Sequence, residues 1–176
     1  MSRRGFGTFA AVLLGTMVVV QAADSVVRIT PIMREKKVLV SFELTDAYDE
    51  AVRQSISSGL RTTFSFDVAL RVVAWVDRTV ATAVVSTSDQ YDNLTRQHRL
   101  TRTVDGRVED AMVTDDESVA REWLTTWKRL ELCDTAKLDA TRDYYVRVSA
   151  RRASPGASLL GWAASITGQT KFSYVP

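Results

Sequence analysis

The sequence predicts a mainly β (α+β) domain, an antiparallel β-sheet or sandwich with two packed helices, after an N-terminal signal peptide. Hydrophobic and polar residues alternate over several short segments, which is the period of a half-buried strand. Two further segments carry the apolar spacing of a helix. Strands and helices occur in blocks, which favours an antiparallel sheet over alternating βαβ units.

The first 22 residues predict a signal peptide. Arg3 and Arg4 give a positive start, an apolar stretch runs from Thr8 to Val20, and the expected cleavage site follows Ala22. That stretch has 13 residues, fewer than the roughly 20 that a transmembrane helix needs. Arg3 and Arg4 leave both the general secretory and the twin-arginine export routes open. We expect a periplasmic or secreted protein with no transmembrane span in the mature chain.

The remaining residues, 23–176, are expected to form a single β-rich domain, because their number is typical of one domain. Without Arg3 and Arg4 the chain has 21 lysines and arginines against 21 aspartates and glutamates. This balance argues against a nucleic-acid partner, since phosphate contacts from basic residues dominate such binding. The sequence has a single cysteine, Cys133, so neither an intrachain disulfide nor a lipid-bearing cysteine after the signal is expected.

The mature chain begins with two predicted strands, Val26–Met33 and Val38–Leu44, on either side of a charged turn. A helix is expected next, with its N-cap at Thr45 or Asp46. Gly59 stands where the end of that helix requires a left-handed residue. The apolar stripe of the helix consists of Tyr48, Val52 and Ile56.

The middle of the chain predicts further strands and a hairpin. Strict alternation extends over Thr63–Leu70, and β-rich patterning continues through Thr79–Thr87 and Asn93–Thr103. Asp105-Gly106 is typical of a two-residue hairpin turn. A short strand over Arg107–Met112 is expected to complete this hairpin.

The second predicted helix begins with a capping box, in which Thr114 is the cap and Glu117 reaches back to it. Strands over Tyr144–Arg152 and Lys171–Val175 are expected to end the chain, with a break at Ser154-Pro155-Gly156. The broad apolar face of the helix consists of Val119, Ala120, Trp123, Leu124 and Trp127.

The single histidine, His98, is the first candidate for a catalytic residue. A general base needs a nucleophile and an orienting partner within hydrogen-bond reach, and the sequence has no Gly-x-Ser-x-Gly motif to supply the nucleophile. Alternation places Leu94, Arg96 and Leu100 on the same strand face as His98. A packed, hydrogen-bonded His98 is therefore favoured over a hydrolase.

Neither a metal nor a cofactor is expected. A transition-metal site usually needs several cysteines or histidines, and the chain has one of each. Trp123 and Trp127, at helical spacing, are favoured as core residues. The alternative is a surface for a ligand or partner, formed by these two tryptophans with His98 and Tyr91.

Six segments also carry a family resemblance, namely Leu39–Phe42, Ile56–Phe66, Arg71 with Trp75 and Asp77, Tyr91–Leu100, Leu138-Asp139 and Tyr144–Val148. Their order and spacing over roughly residues 38–150 resemble DUF4390, a family of small exported bacterial proteins of unknown function. The resemblance implies an envelope protein and an aromatic ring at the position of His98. It implies no activity.

The favoured function is therefore a non-enzymatic accessory or protein-interaction domain that binds an unknown envelope protein. The alternative is a carrier of a lipid or small apolar ligand, with its pocket between the sheet and the helix of Trp123 and Trp127. A hydrolase that depends on His98 is the third hypothesis. The sequence leaves the oligomeric state open.

Overall fold

The strands and helices are numbered in chain order. The computed structural model describes residues 26–76, 78–153 and 165–175. The expected signal peptide (1–22) and the expected break at Ser154-Pro155-Gly156 lie outside these residues. The described elements are β1 (Val27–Arg34), β2 (Lys37–Leu44), α1 (Glu50–Ser57), β3 (Thr62–Val72), β4 (Arg78–Asp92), β5 (Gln97–Val104), β6 (Arg107–Thr114), α2 (Glu117–Thr125), β7 (Thr126–Asp134), a 3-10 turn (Thr135–Lys137), β8 (Asp143–Ala153) and β9 (Ile166–Ser173).

The described strands form two sheets. The larger sheet has the order β6-β5-β4-β3-β8-β9, and the smaller sheet has the order β1-β2-β7. Every pairing in both sheets is antiparallel. The predicted fold class, a mainly β antiparallel architecture with two packed helices, is confirmed.

The alternation of β3 decides which face of the larger sheet is buried. Phe64, Phe66, Val68 and Leu70 point to an inner face that packs on the smaller sheet. The ring centroids of Phe66 and Phe42, one from each sheet, are 4.9 Å apart. The other face, called the outer face below, carries the alternate residues. Those from β3 and β8 are Thr63, Ser65, Asp67, Ala69, Arg71, Tyr145, Arg147, Ser149 and Arg151.

The two sheets also meet where β1 lies against β9. The hydroxyl of Thr170 donates to the carbonyl oxygen of Ile29 over 3.3 Å. A Cβ added to Gly168 would lie 2.6 Å from the carbonyl oxygen of Val27, so a glycine allows this close approach. Strand β9 overlaps the predicted strand Lys171–Val175, but it begins five residues earlier, at Ile166, and ends two residues earlier, at Ser173.

Each described α-helix begins after an aspartate cap. The Asp49 carboxylate accepts a hydrogen bond from the Val52 amide over 2.8 Å, and the Asp116 carboxylate accepts one from the Ser118 amide over 2.7 Å. Gly59 has φ +80° after α1, as predicted for the end of that helix. No helix within the described ranges is both long and apolar enough to cross a membrane.

The predicted caps of both helices are wrong. The Thr45 amide donates to the carbonyl oxygen of Val26 and so extends the pairing of β1 and β2. Asp46 has φ +59°, whereas a capping residue has an extended backbone. Thr114 is the last residue of β6, where it pairs with His98. Strand pairing thus holds two of these residues, and a turn conformation excludes the third.

The segment Asn93–Thr103 was predicted to be a continuous strand. In the structure it is a turn followed by β5. The Asp92 carboxylate accepts hydrogen bonds from the amides of Leu94 and Thr95, which closes a turn between β4 and β5. The Leu94 side chain is 96% exposed. Leu94 and Arg96 therefore do not share a strand face with His98, whereas Leu100 does.

Strand β7 was not predicted, and it contains Trp127, which was expected on the second helix. The buried residues of β7 are spaced three apart, at Trp127, Leu130 and Cys133. This spacing resembles a helix, but it arises from two irregularities in the pairing of β2 with β7. Because a bulge adds a residue to one strand, it shifts the phase of alternation. Arg129, between the buried positions, has φ +57°.

Candidate functional site

A buried pair of polar side chains, His98 and Asp89, lies near one end of the sandwich. Nδ1 of His98 is 2.8 Å from Oδ2 of Asp89, and the two side chains are 7% and 0% exposed. The Tyr91 ring packs against the imidazole, with the centroids 4.7 Å apart. This region, with the turn between β4 and β5, is called the His98 end below. The structure thus brings together two of the predicted site residues, His98 and Tyr91.

The His98 pair has an orienting carboxylate, and no described hydroxyl or thiol is hydrogen-bonded to the imidazole. Oδ1 of Asp89 is buried without a hydrogen bond. Burial raises the pKa of Asp89, although the hydrogen bond and charge of His98 oppose that shift. Burial also raises the pKa of the Cys133 thiol, so that thiol does not have the lowered pKa of a reactive cysteine.

The two predicted tryptophans, Trp123 and Trp127, pack on the guanidinium of Arg102. Its central carbon lies 4.1 Å from the centroid of the Trp123 ring and 5.2 Å from that of Trp127. Nη2 of Arg102 also donates to the carbonyl oxygens of Trp123 and Thr126, over 3.1 and 2.7 Å. The cation fills the space next to both rings, and each tryptophan is buried. Both tryptophans therefore pack against Arg102 inside the fold.

Tyr91 also borders a shallow cleft of about 240 Å³ at the His98 end. Inside it, Asp92 and Arg99 form an ion pair of 3.1 Å. Hydrogen bonds from the amides of Thr95 and Leu94 lower the pKa of Asp92. The charged groups of this cleft therefore have partners within the protein.

The loop between β3 and β4, at the opposite end of the sandwich, has the most exposed aromatic side chain of the described residues. Trp75 is fully exposed, and its neighbour Val76 is 77% exposed. From the sequence, Trp75 was named only as part of a family pattern. The apolar run Val73-Ala74-Trp75-Val76 lies between two strands, where polar turn residues are usual, and it could have indicated an exposed apolar loop.

A cleft of about 310 Å³ lies beside this loop. The pairing of Val72 with Arg78 and with Tyr144 brings β3, β4 and β8 together at its floor. The cleft and the loop 73–76 are called the Trp75 end below. The lining residues are Val72, Ala74, Val76, Arg78, Val80, Lys137, Asp139, Arg142 and Tyr144.

The charges around this cleft are mostly positive. Arg78, Lys137 and Arg142 line it, and none of them forms an ion pair with a described residue. Asp139 is the one carboxylate among the described lining residues, and it accepts hydrogen bonds from the amide and hydroxyl of Thr141 over 2.8 and 2.7 Å. These bonds lower the pKa of Asp139. The cleft therefore combines an apolar floor with a cationic rim.

The geometry of the Trp75 end suits binding. In the described part of the chain, no group of three or more histidine, cysteine, aspartate or glutamate residues could hold a metal ion.

The fold and the cleft define a two-sheet, mainly β domain with an exposed apolar and cationic surface. The chain belongs to the family described as Domain of unknown function (DUF4390), whose model matches residues 23–155. This match confirms the resemblance seen in the sequence.

Two other comparisons gave no relatives. No curated protein matches the chain. No solved structure matches it either.

Proposed function

We propose that this protein is an exported, non-enzymatic domain that binds another envelope protein through the Trp75 end. The observation that carries the proposal is the fully exposed side chain of Trp75 beside an open cleft. Tryptophan and arginine are enriched among the residues that dominate protein–protein binding. Exposed apolar side chains that cluster on one surface are typical of interaction sites.

The chemistry of the cleft indicates what the partner presents. Arg78, Lys137 and Arg142 favour an acidic segment, because complementary charges steer association and select the partner. Val72 and Val80 on the floor favour an apolar side chain within that segment. The proposed partner is therefore a protein with a short acidic segment that carries at least one large apolar residue.

Export to the envelope is the second part of the proposal, and it rests on the sequence. Arg3, Arg4 and the apolar stretch Thr8–Val20 have the order and length of a cleaved signal peptide. A periplasmic or secreted location places the Trp75 end among envelope proteins.

One observation favours a second candidate function. The cleft volume of about 310 Å³ is near the lower limit for small-ligand sites, which begin at roughly 300 Å³. A small apolar acid would satisfy both the floor and the cationic rim. Protein purified from its own envelope and measured by native mass spectrometry should then carry a bound mass, which a protein-binding domain does not need.

The interaction is tested by cross-linking in the native host, with wild type and the Trp75→Ala variant compared. Leu94→Ala is the matched control, because Leu94 is as exposed as Trp75 but lies at the His98 end. We expect one protein to cross-link to wild type and to Leu94→Ala, and its yield to fall about tenfold or more with Trp75→Ala, as for a hot-spot residue. The captured partner, once purified, should bind wild type and Leu94→Ala with similar affinity and Trp75→Ala more weakly.

The outcomes separate the hypotheses. A partner that Trp75→Ala retains at full yield would place the interface elsewhere and contradict the proposal. A chain found only in the cytoplasm, with residues 1–22 still attached, would contradict export. A co-purified apolar acid that is lost in the Arg142→Gln variant would favour the carrier instead.

A further inference from the structure

Three cationic side chains surround Tyr145 on the outer face of the larger sheet. Tyr145 pairs with Arg71 of β3 on one side and with Lys171 of β9 on the other. Arg147 is two residues further along β8 and faces the same side, with its guanidinium carbon 5.8 Å from the centroid of the Tyr145 ring. Diagonal neighbours on a sheet lie roughly 7 to 8 Å apart. Arg147 is therefore within reach of a group that also touches Arg71 or Lys171.

Arg71 and Arg147 have no acceptor among the described residues, although buried donors usually have one. Nε of each side chain is buried without a hydrogen bond. Neither guanidinium, nor the Lys171 ammonium, forms an ion pair or hydrogen bond with a described residue. Each arginine therefore carries a buried donor that has no acceptor among the described residues.

Two other arginines show that this lack of acceptors is specific. Arg151 lies on the same face of β8, and its guanidinium donates to the Asp67 carboxylate over 2.5 Å. Arg102 also has a buried, unpaired Nε, but its Nη2 donates to two backbone carbonyls. Described residues supply acceptors to these two arginines and supply none to Arg71 and Arg147.

Among the described residues, the carboxylates nearby are already engaged. Asp67 accepts from Arg151, and Asp143, which precedes Tyr145 on the same face of β8, accepts from the Ser173 hydroxyl over 2.7 Å. Like charges that are neighbours on a sheet destabilise it. The three cations therefore form a local excess of positive charge that an external anion would relieve.

We propose that Arg71, Arg147 and Lys171 form a binding site for a phosphate group. Planar guanidinium groups match the oxygens of phosphate through paired hydrogen bonds, and they do so more strongly than neutral donors. A phosphomonoester carries nearly two negative charges near neutral pH, so it balances this cluster better than a carboxylate does. The buried bases of the two arginines reduce the entropy lost on binding.

The site is separate from the surface proposed for the protein partner. Arg71 and Arg147 lie on the outer face of the sheet, whereas the cleft at the Trp75 end is lined by Val72 and Tyr144, which belong to the inner face. The phosphate can come from a small solute or from a lipid headgroup. Both sources present the same group to the arginines.

Titration of the full mature protein with inorganic phosphate tests the site. In proton–nitrogen correlation spectra, the Nε–H signals of Arg71 and Arg147 should move in a saturable way, while that of Arg151 stays in place. Arg71→Gln and Arg147→Gln should each weaken binding roughly tenfold or more, since each removes charge-assisted hydrogen bonds. Arg151→Gln is the matched control, and Arg71→Lys should retain part of the affinity because it keeps the charge.

Two further ligands identify the source of the phosphate. Glycerol 1-phosphate and vesicles that contain phosphatidic acid, whose headgroup is a phosphomonoester, are titrated against the same variants, with phosphatidylcholine vesicles as the neutral comparison. Tighter binding of the anionic vesicles than of the free phosphates, lost in Arg147→Gln, identifies a lipid headgroup. If the free phosphates bind as tightly as the anionic vesicles or more tightly, the source is a solute. Failure of all three ligands to bind folded wild type, or undiminished binding by both glutamine variants, overturns the proposal.

Discussion

The His98 end and the Trp75 end of the sandwich differ in what they bury and what they expose. At the His98 end, polar side chains are buried and paired: His98 bonds to Asp89, and Tyr91 covers the imidazole. At the Trp75 end, a large apolar ring is exposed, and the two arginines and the lysine that line the neighbouring cleft form no ion pair with a described residue. A polar group buried without a partner costs free energy, whereas an exposed ring next to a cationic cleft is available to another molecule.

The comparison teaches that chemical interest in a sequence and availability in the fold are different properties. Histidine is a residue type that often acts as a general base, yet the fold encloses His98. Trp75 has no catalytic chemistry, yet the fold leaves it fully accessible. The His98 end should therefore control stability, and the Trp75 end should control binding.

The largest expected effect is on stability at the His98 end. Asp89→Ala leaves His98 buried without its hydrogen-bond partner, and the loss of one partner of a buried hydrogen bond costs about 1 to 3 kcal/mol. Urea denaturation should show this loss in the free energy of unfolding. Asp115→Ala is the control, because Asp115 is exposed and makes no side-chain hydrogen bond among the described residues.

A double variant sharpens the same point. Asp89→Leu combined with His98→Phe replaces the pair by apolar side chains, and such replacements are often neutral or stabilising. We expect the double variant to recover most of the stability that Asp89→Ala loses. A double variant as unstable as Asp89→Ala would mean that the hydrogen bond itself, not the filling of space, holds this end together.

The next effect is a pH dependence. Because burial raises the pKa of Asp89 in the folded state, folding favours the protonated carboxyl. The stabilisation of wild type relative to Asp89→Asn should be complete below the unfolded value of about 3.9 and decrease as the pH rises through the raised folded value. Thermal melts of both proteins between about pH 3 and 7 measure this difference. A difference that grows with rising pH would contradict the raised pKa.

The smallest effect is expected from the exposed ring itself. Trp75→Ala removes a side chain that the fold does not bury, so the free energy of unfolding should change by no more than about 0.5 kcal/mol. Leu94→Ala should behave in the same way. If Trp75→Ala unfolded at much lower urea, Trp75 would be part of the core and the contrast between the two ends would fail.

Much of the fold could be predicted because alternation along a strand reports burial directly. Strand β3, with its buried residues at every second position, was predicted almost to its ends. The hairpin at Asp105-Gly106 was predicted from the turn residues alone, and both have positive φ. Strand β7 was missed because its bulges give a spacing of three.

The candidate site was less predictable, because its parts are distant in sequence. Arg78, Lys137 and Arg142 line one cleft only because β4 and β8 both pair with β3. Asp89 could not be identified as the partner of His98, since a one-residue change of register would have turned the two side chains to opposite faces. Trp75 could have been found, because an apolar run in a loop is visible in the sequence.

Local patterns of apolar, polar and turn residues are enough to predict the fold class, the family and the positions of most strands and helices. Only the folded chain shows which reactive groups are enclosed and which charges have no partner among the described residues. Burial and pairing are properties of residues that meet across strands, and Arg71, Arg147 and Lys171 come together only when β3, β8 and β9 align. Local sequence patterns determine where strands form, and strand register determines which side chains meet across them.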